Sequence, residues 1–327
     1  MEGRIGDVPG NIAQVGDLAE QALRAGARIV ALPEFFTTPI IYDERIYQCS
    51  LPLENPALDM LKLLANKYEA TLGGSYLEKR GDDVYNTYVL VEPSGQVHRH
   101  NKDQPTMVEN AFYIGGDDPG IAHTNSGKIG IALCWEMIRT RTVSRLVGDI
   151  DLMMTGSHWW SAPDWRLGRR LWDWVHRYNT QLMARTPGLF AAMVGAPNLH
   201  ASHCGSLSGD FQFTQNRMAM VNTVLLGQAQ ITDASGKILA QRDAREGPGY
   251  IQASIELGAK SAVEVPDRFW IDRFPILFRI LWHHQNHTAK KSYVQAKRNG
   301  LFETYDFSEN PPLENTVQFP KMRHLKP

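Results

Sequence analysis

The sequence lacks any excess of basic charge: 34 Lys and Arg stand against 35 Asp and Glu over 327 residues, a formal net charge of -1. That removes the electrostatic footprint of a dedicated nucleic-acid binder or a polybasic membrane-surface protein. Cysteine is scarce. Cys49, Cys134 and Cys204 are odd in number and far apart, with no CxxC pair, which argues against a disulfide framework or structural zinc. No apolar run approaches the ~20 residues of a membrane span, and Met1-Glu2-Gly3-Arg4-Ile5-Gly6-Asp7 has no apolar signal region. A reducing, cytoplasmic setting and small-molecule partners are the expectation.

Repeats, low-complexity tracts and Pro/Gly/Ser linkers are missing as well, so one mixed α and β unit is expected, and 43% hydrophobic residues supply its core. Asn11 reads as the cap of a helix with Ile12, Val15, Leu18, Ala19 and Leu23 on one face and Gly26 as its stop. The strand Arg28 to Leu32 follows, then a helix from Asn55-Pro56 carrying Leu58, Leu61, Leu64, Ala65 and Tyr68. Thr71 to Glu78, Val84 to Glu92 and Gln96 to His100 read as hairpin strands joined at Gly81 and Gly95. Lys128 to Leu133 and Asp151 to Thr155 are compact strands. Asp164 to Arg185 reads as helix and Leu189 to Val194 as a buried strand. Gly227 to Thr232, Lys237 to Gln241 and Tyr250 to Ile255 read as late hairpins. Helices alternating with strands and hairpins predict layered sheets covered by helices.

Three reactive side chains stand at or just past the ends of predicted strands: Glu34, Lys102 and Cys134. Sheets with parallel strands gather ligands at their carboxyl edges, so the three can meet in one crevice. A thiol becomes a nucleophile when its proton is removed, and the Glu34 carboxylate can remove it. The Lys102 ammonium can then stabilise the oxyanion formed when sulfur adds to a carbonyl.

The order Leu32-Pro33-Glu34, then Lys102, then Leu133-Cys134-Trp135-Glu136 resembles the nitrilase superfamily of carbon-nitrogen hydrolases, and the likeness runs from Gly6 through Ile255. The resemblance implies a Glu-Lys-Cys triad at Glu34, Lys102 and Cys134, with Glu109 as a second glutamate that positions the lysine and substrate. It further implies an αββα four-layer sandwich of two mixed sheets flanked by helices, a homodimer or higher homo-oligomer, and no metal or organic cofactor. The family begins with a hydrophobic strand before Gly6-Asp7, where this sequence has Met1 to Ile5, so an open edge or gap in one sheet is expected. Residues 1–258 are assigned to the hydrolase domain, and 259–327 to a C-terminal extension packing at a subunit interface.

Trp135, His158, Trp159 and Trp160 are the expected substrate-contacting residues, forming with Trp165 an apolar pocket for an aryl or bulky alkyl acyl group. Glu136 reads as an orienter of the cysteine loop. A Cys-His dyad using His158 competes with the triad, but no histidine carries a motif that sets it beside Cys134. His200-Ala201-Ser202-His203-Cys204 reads as core or surface loop rather than a metal site, and Cys49 has no supporting context. The reaction favoured is hydrolysis of a linear non-peptide amide through a cysteine thioester. A nitrile, an N-carbamoyl substrate or acyl transfer uses the same residues, and a catalytically inactive ligand- or partner-binding homologue is the alternative of another class.

Overall fold

A computed structural model describes residues 1–214, 217–258 and 262–308. Helix α1 (Val8–Arg24) starts at Asp7, whose carboxylate accepts from the Gly10 amide at 3.1 Å, with Pro9 in the first turn. The cap expected at Asn11 therefore moves four residues upstream. Asn11 is buried, and its side-chain amide donates to the carbonyls of Arg4 and Thr37. Strand β1 (Ile29–Ala31) comes next, then helix α2 (Pro56–Tyr68), whose Asn55 cap accepts from Leu58 N at 3.0 Å. Strands β2 (Thr71–Arg80), β3 (Asp83–Val91) and β4 (Val97–Asn101) complete a sheet ordered β1-β2-β3-β4. β1 runs parallel to β2 and is an edge strand; the other pairs are antiparallel.

The second sheet begins with β5 (Ile121–Thr124), β6 (Gly127–Leu133), β7 (Leu152–Ser157) and β8 (Asn198–Ser202). Helix α3 (Thr140–Leu146) connects β6 to β7, and helix α4 (Arg169–Val194) connects β7 to β8. A separate hairpin of β9 (Ser206–Thr214) and β10 (Arg217–Val224) precedes β11 (Gly227–Thr232) and β12 (Ile238–Asp243). The sheet order is β12-β11-β8-β7-β6-β5, with β6, β7 and β8 parallel. Helix α5 (Ile276–Arg298) is the last helix of the described chain.

Strand periodicity explains the layering. On β3, Val89 and Val91 face α1 and α2, while Tyr88 and Leu90 face the second sheet. On β6, Ile129, Ile131 and Leu133 meet them there, and Ala132 turns outward to pack with Val143 of α3 and Phe190 of α4. Alternate residues of a strand point to opposite faces, so each sheet buries one face against helices and the other against its fellow. Each fully buried Leu or Phe contributes roughly 1.5–3 kcal/mol. The result is an αββα sandwich.

Two expected strands are not strands. Leu189 to Val194 is the last part of α4, which continues through Pro187. Phe190, Met193 and Val194 form a helical face against the second sheet, and a short apolar run has no periodicity that separates this from a strand. Tyr250 to Ile255 takes no ladder; Ile251, Ala253 and Ile255 pack on the inter-sheet core as unpaired extended chain, which gives the same alternation. The C-terminal helix α5 buries Phe278, Gln285, Ala289, Tyr293 and Ala296 within its own chain. The part of the predicted extension at 259–261 and 309–327 lies outside the described residues. Among the described residues no helix is long and apolar enough to cross a membrane.

Candidate active site

The carboxyl ends of β1, β4 and β6 each deliver one side chain to a common buried cluster, of which Cys134 lines a pocket. Glu34 follows β1 and is fully buried, and the next residue, Phe35, has φ 55°. The backbone must turn sharply here, because Gly156 of β7 lies against it: a Cβ on Gly156 would stand 2.7 Å from Glu34 N. Lys102 follows β4, fully buried, with its backbone amide held by Asn86 O at 2.9 Å. Cys134 follows β6 with φ 51°, in the left-handed region that a side chain adopts only under constraint.

Lys102 Nζ donates to Glu34 Oε1 at 2.9 Å and to Glu109 Oε2 at 2.7 Å. Glu109 sits in a short helical turn, Met107–Ala111, and also accepts from Thr106 N at 2.9 Å and from the Tyr113 hydroxyl. Glu34 has two more donors, Asn86 Nδ2 at 2.9 Å and the His158 backbone amide at 3.0 Å. The cluster therefore holds two carboxylates and one ammonium out of water, every charge hydrogen-bonded, as buried charges require.

Burial raises the Glu34 carboxyl to about 7, against the pull of Lys102 and with the push of Glu109. Burial opposes the Lys102 cation, yet Glu109 and Glu34 outweigh it and hold the ammonium well above its ordinary range. Burial and the charge of Glu34 also push the Cys134 thiol up, against the pull of Lys102. A neutral thiol thus stands beside a carboxylate poised near neutrality, an arrangement that transfers the proton as sulfur attacks.

Glu136 governs the cysteine turn. Its Oε2 accepts from Leu133 N at 2.7 Å and pairs with His100 Nε2 at 3.1 Å, and its Oε1 accepts from Asp103 N at 3.1 Å. One carboxylate so ties the segment before Cys134 to the segment after Lys102. Helix α5 braces the Glu109 turn from the other side: Asn286 Oδ1 accepts from Met107 N at 2.7 Å and from Asn110 Nδ2 at 3.0 Å.

All four expected substrate-contacting residues, Trp135, His158, Trp159 and Trp160, line the pocket that holds Cys134 and Glu109. The His158 ring is engaged in structure, accepting from Ile40 N at 3.3 Å and packing edge-on to His203. Burial keeps it neutral, lowered to about 3, which removes the base that a Cys-His dyad needs. Trp165 packs instead with Trp172, Phe211 and Phe213. His200 bonds Thr155 and Ser157 of the strand beside it, and His203 bonds Glu34 O at 2.7 Å. Cys49 is buried, its thiol donating to Arg45 O. Asn86, Tyr113, Gly156 and Asn286 escaped the sequence reading. Each acts on the cavity through a contact made only in the folded chain, and no local motif marks it.

Residues 1–263 match the family model of the carbon-nitrogen hydrolases. A bifunctional nitrilase/nitrile hydratase of Lupinus angustifolius is 25% identical over 77% of this chain and 75% of its own length. A chloroplastic omega-amidase of Arabidopsis thaliana is 29% identical over 39% of this chain and 38% of its own. Among solved structures, an amidase from Nesterenkonia sp. superposes with a TM-score of 0.58 at 18% identity, covering 74% of this chain and 83% of that one. With four fifths of its length inside that family match and the sandwich fold in common, the chain belongs to the carbon-nitrogen hydrolase family and is a hydrolase acting on carbon-nitrogen bonds.

Proposed function

We propose that the protein hydrolyses a linear, non-peptide amide through a thioester on Cys134, releasing ammonia or an amine and a carboxylic acid. The observation that carries this reading is the Lys102 ammonium held between Glu34 and Glu109 among the strand ends that also present Cys134, whose thiol it pulls toward the charged form. Glu34 takes the thiol proton as sulfur adds to the carbonyl carbon. Lys102 stabilises the charge that develops on the substrate oxygen, and Glu109 holds Lys102 in place. Collapse of the tetrahedral species passes the proton from Glu34 to the departing amine. A water deprotonated by the same carboxylate then hydrolyses the thioester and restores the thiol.

A nitrile is the second reading. Sulfur addition to its carbon gives a thioimidate, which takes up water, loses ammonia and joins the same thioester path. The lupin relative is named for that chemistry and the Nesterenkonia neighbour for amide chemistry, so both leaving groups are tested together. Ammonia release from short aliphatic, aryl and carbamoyl amides and the matching nitriles, with wild type beside Cys134→Ala, decides between them. Release that depends on Cys134 supports the hydrolase, and full activity in Cys134→Ala overturns it.

A further inference from the structure

Strand β3 carries one polar side chain in a row that is otherwise built to pack. Val84, Asn86, Tyr88 and Leu90 alternate onto one face, and all four are fully buried. Val84 joins the core around Phe35 and Tyr113, and Tyr88 and Leu90 join the core between the sheets. An amide in such a row costs stability unless it is paired. Asn86 pairs with the reacting carboxylate: its Nδ2 donates to Glu34 Oε1 at 2.9 Å, while its backbone oxygen accepts from Lys102 N at 2.9 Å. One residue thus holds Glu34 by its side chain and Lys102 by its main chain.

The two oxygens of Glu34 are not equivalent. Among the described residues Oε1 receives two donors, Asn86 Nδ2 and Lys102 Nζ, each at 2.9 Å, and Oε2 receives one, the His158 amide at 3.0 Å. A carboxylate oxygen offers about two lone-pair positions, so Oε1 is filled and Oε2 keeps one open. The same chemistry fixes the Asn86 amide, because an ionised carboxylate only accepts and the NH2 end must face it. Around this carboxylate Lys102 stays charged against its burial, through Glu109 and Glu34, and burial keeps Tyr113, His158 and His203 neutral. That leaves the Cys134 thiol to exchange a proton with Glu34. Burial and Glu34 hold the thiol neutral, while Lys102 and the His158 amide that bonds Oε2 pull it toward its charged form.

We propose that Asn86 is a positioning residue which, with Lys102, closes Oε1 of Glu34 and so reserves Oε2 as the oxygen that carries the proton. This rests on the reading of Glu34 as the base toward Cys134. In the first step the Sγ–H bond breaks and an Oε2–H bond forms as sulfur adds to the substrate carbon. Oε2 then gives that proton to the departing amine. It takes another from the water that adds to the thioester, and returns it to sulfur as the carbon–sulfur bond breaks. Because the Asn86 amide donates to the charged carboxylate, it also favours ionisation of Glu34.

The test compares wild type with Asn86→Leu, which has no donor, and Asn86→Asp, which keeps the shape of the side chain and gives the reading if the leucine variant does not fold. Two rates are followed over a pH series: ammonia release from an amide, and alkylation of Cys134 by iodoacetamide, which needs no substrate. In both variants the acid limb of each profile is expected to move up by about one pH unit or more, and the plateau above it to fall about tenfold to a hundredfold. KM stays near the wild-type value, because Asn86 lies outside the pocket lining. Tyr88→Phe, a change at the next position on the same face, leaves both limbs in place. Limbs that stay put or move down in the Asn86 variants overturn the proposal, as does a loss confined to KM; ammonia release that persists in that case leaves the hydrolase reading standing. Alkylation limbs that move up, with no ammonia released by wild type from any compound, sustain the assignment of Asn86 and sink the hydrolase reading.

Discussion

Gly156 and Glu34 lie so close that a Cβ on the glycine would stand 2.7 Å from the Glu34 backbone nitrogen and 3.2 Å from the carbonyl carbon of Pro33. The backbone that carries Glu34 beyond β1 presses directly on β7 at this point, and the hydrogen of a glycine is what lets it do so. The obstacle to a larger residue is backbone, which cannot swing aside.

Gly156→Ala is therefore expected to push Glu34 away from Lys102 and Cys134. Overpacking of this kind costs about 1–3 kcal/mol of stability, and misplacing a reacting group by an ångström lowers kcat by up to about a hundredfold. Urea unfolding and steady-state kinetics check both. An alanine variant with wild-type kcat would show that the close approach does not set the position of Glu34.

The pH dependence of turnover follows from Glu34. Its carboxyl is raised to about 7, and the form that accepts the thiol proton is the ionised one, so kcat/KM rises as pH climbs through about 7. Glu109 is one of the groups that raises it. Glu109→Gln removes that negative charge and moves the acid limb to lower pH, while lowering the rate because Lys102 loses a partner. A limb that stays in place or moves to higher pH contradicts the pairing of the two carboxylates through Lys102.

His100 gives a separate test in stability. Burial opposes its cation, but Glu136, with Nε2 3.1 Å from Oε2, and Asp118, with Nδ1 2.5 Å from Oδ1, raise it from 6.5 to about 9. A raised folded-state value means the contribution is fully present below about 6.5 and is lost as pH rises through about 9. The size is on the order of 3 kcal/mol. His100→Gln should lose stability at pH 6 and differ little from wild type at pH 10 by urea unfolding. An equal deficit at both values would show that charge on His100 does not hold Glu136 and the cysteine turn.

Much of this arrangement was legible before any coordinates. Glu34 and Cys134 each follow a short apolar strand whose end is readable because the run stops at a polar or turn residue, and Lys102 follows the polar strand Val97–Asn101, readable from the Pro93-Ser94-Gly95 turn before it. The Asn55-Pro56 cap and the turn at Gly81 are likewise local, and α2 and the β2-β3 pairing follow from them. What escaped is non-local. Asn86 donates to a carboxylate 52 residues away, and nothing in Val84 to Thr87 distinguishes it from any polar residue on a strand. Leu189 to Val194 reads as a strand because a short apolar run has no periodicity of its own, whereas α4 continues through Pro187 to Val194, with Thr186 Oγ1 donating to Leu182 O at 2.7 Å. The inward face of α5, which braces Glu109 and walls the pocket, shows only as an apolar stretch when read alone.

The measurement that bears most directly on the central claim is peptide mapping by mass spectrometry of wild type, acid-quenched during turnover of an amide that releases ammonia. The account predicts the mass of the acyl group on the peptide containing Cys134, absent from Cys134→Ala, with Cys49 and Cys204 unmodified. Turnover with no acyl group on Cys134, or with the acyl group on either other cysteine, contradicts it.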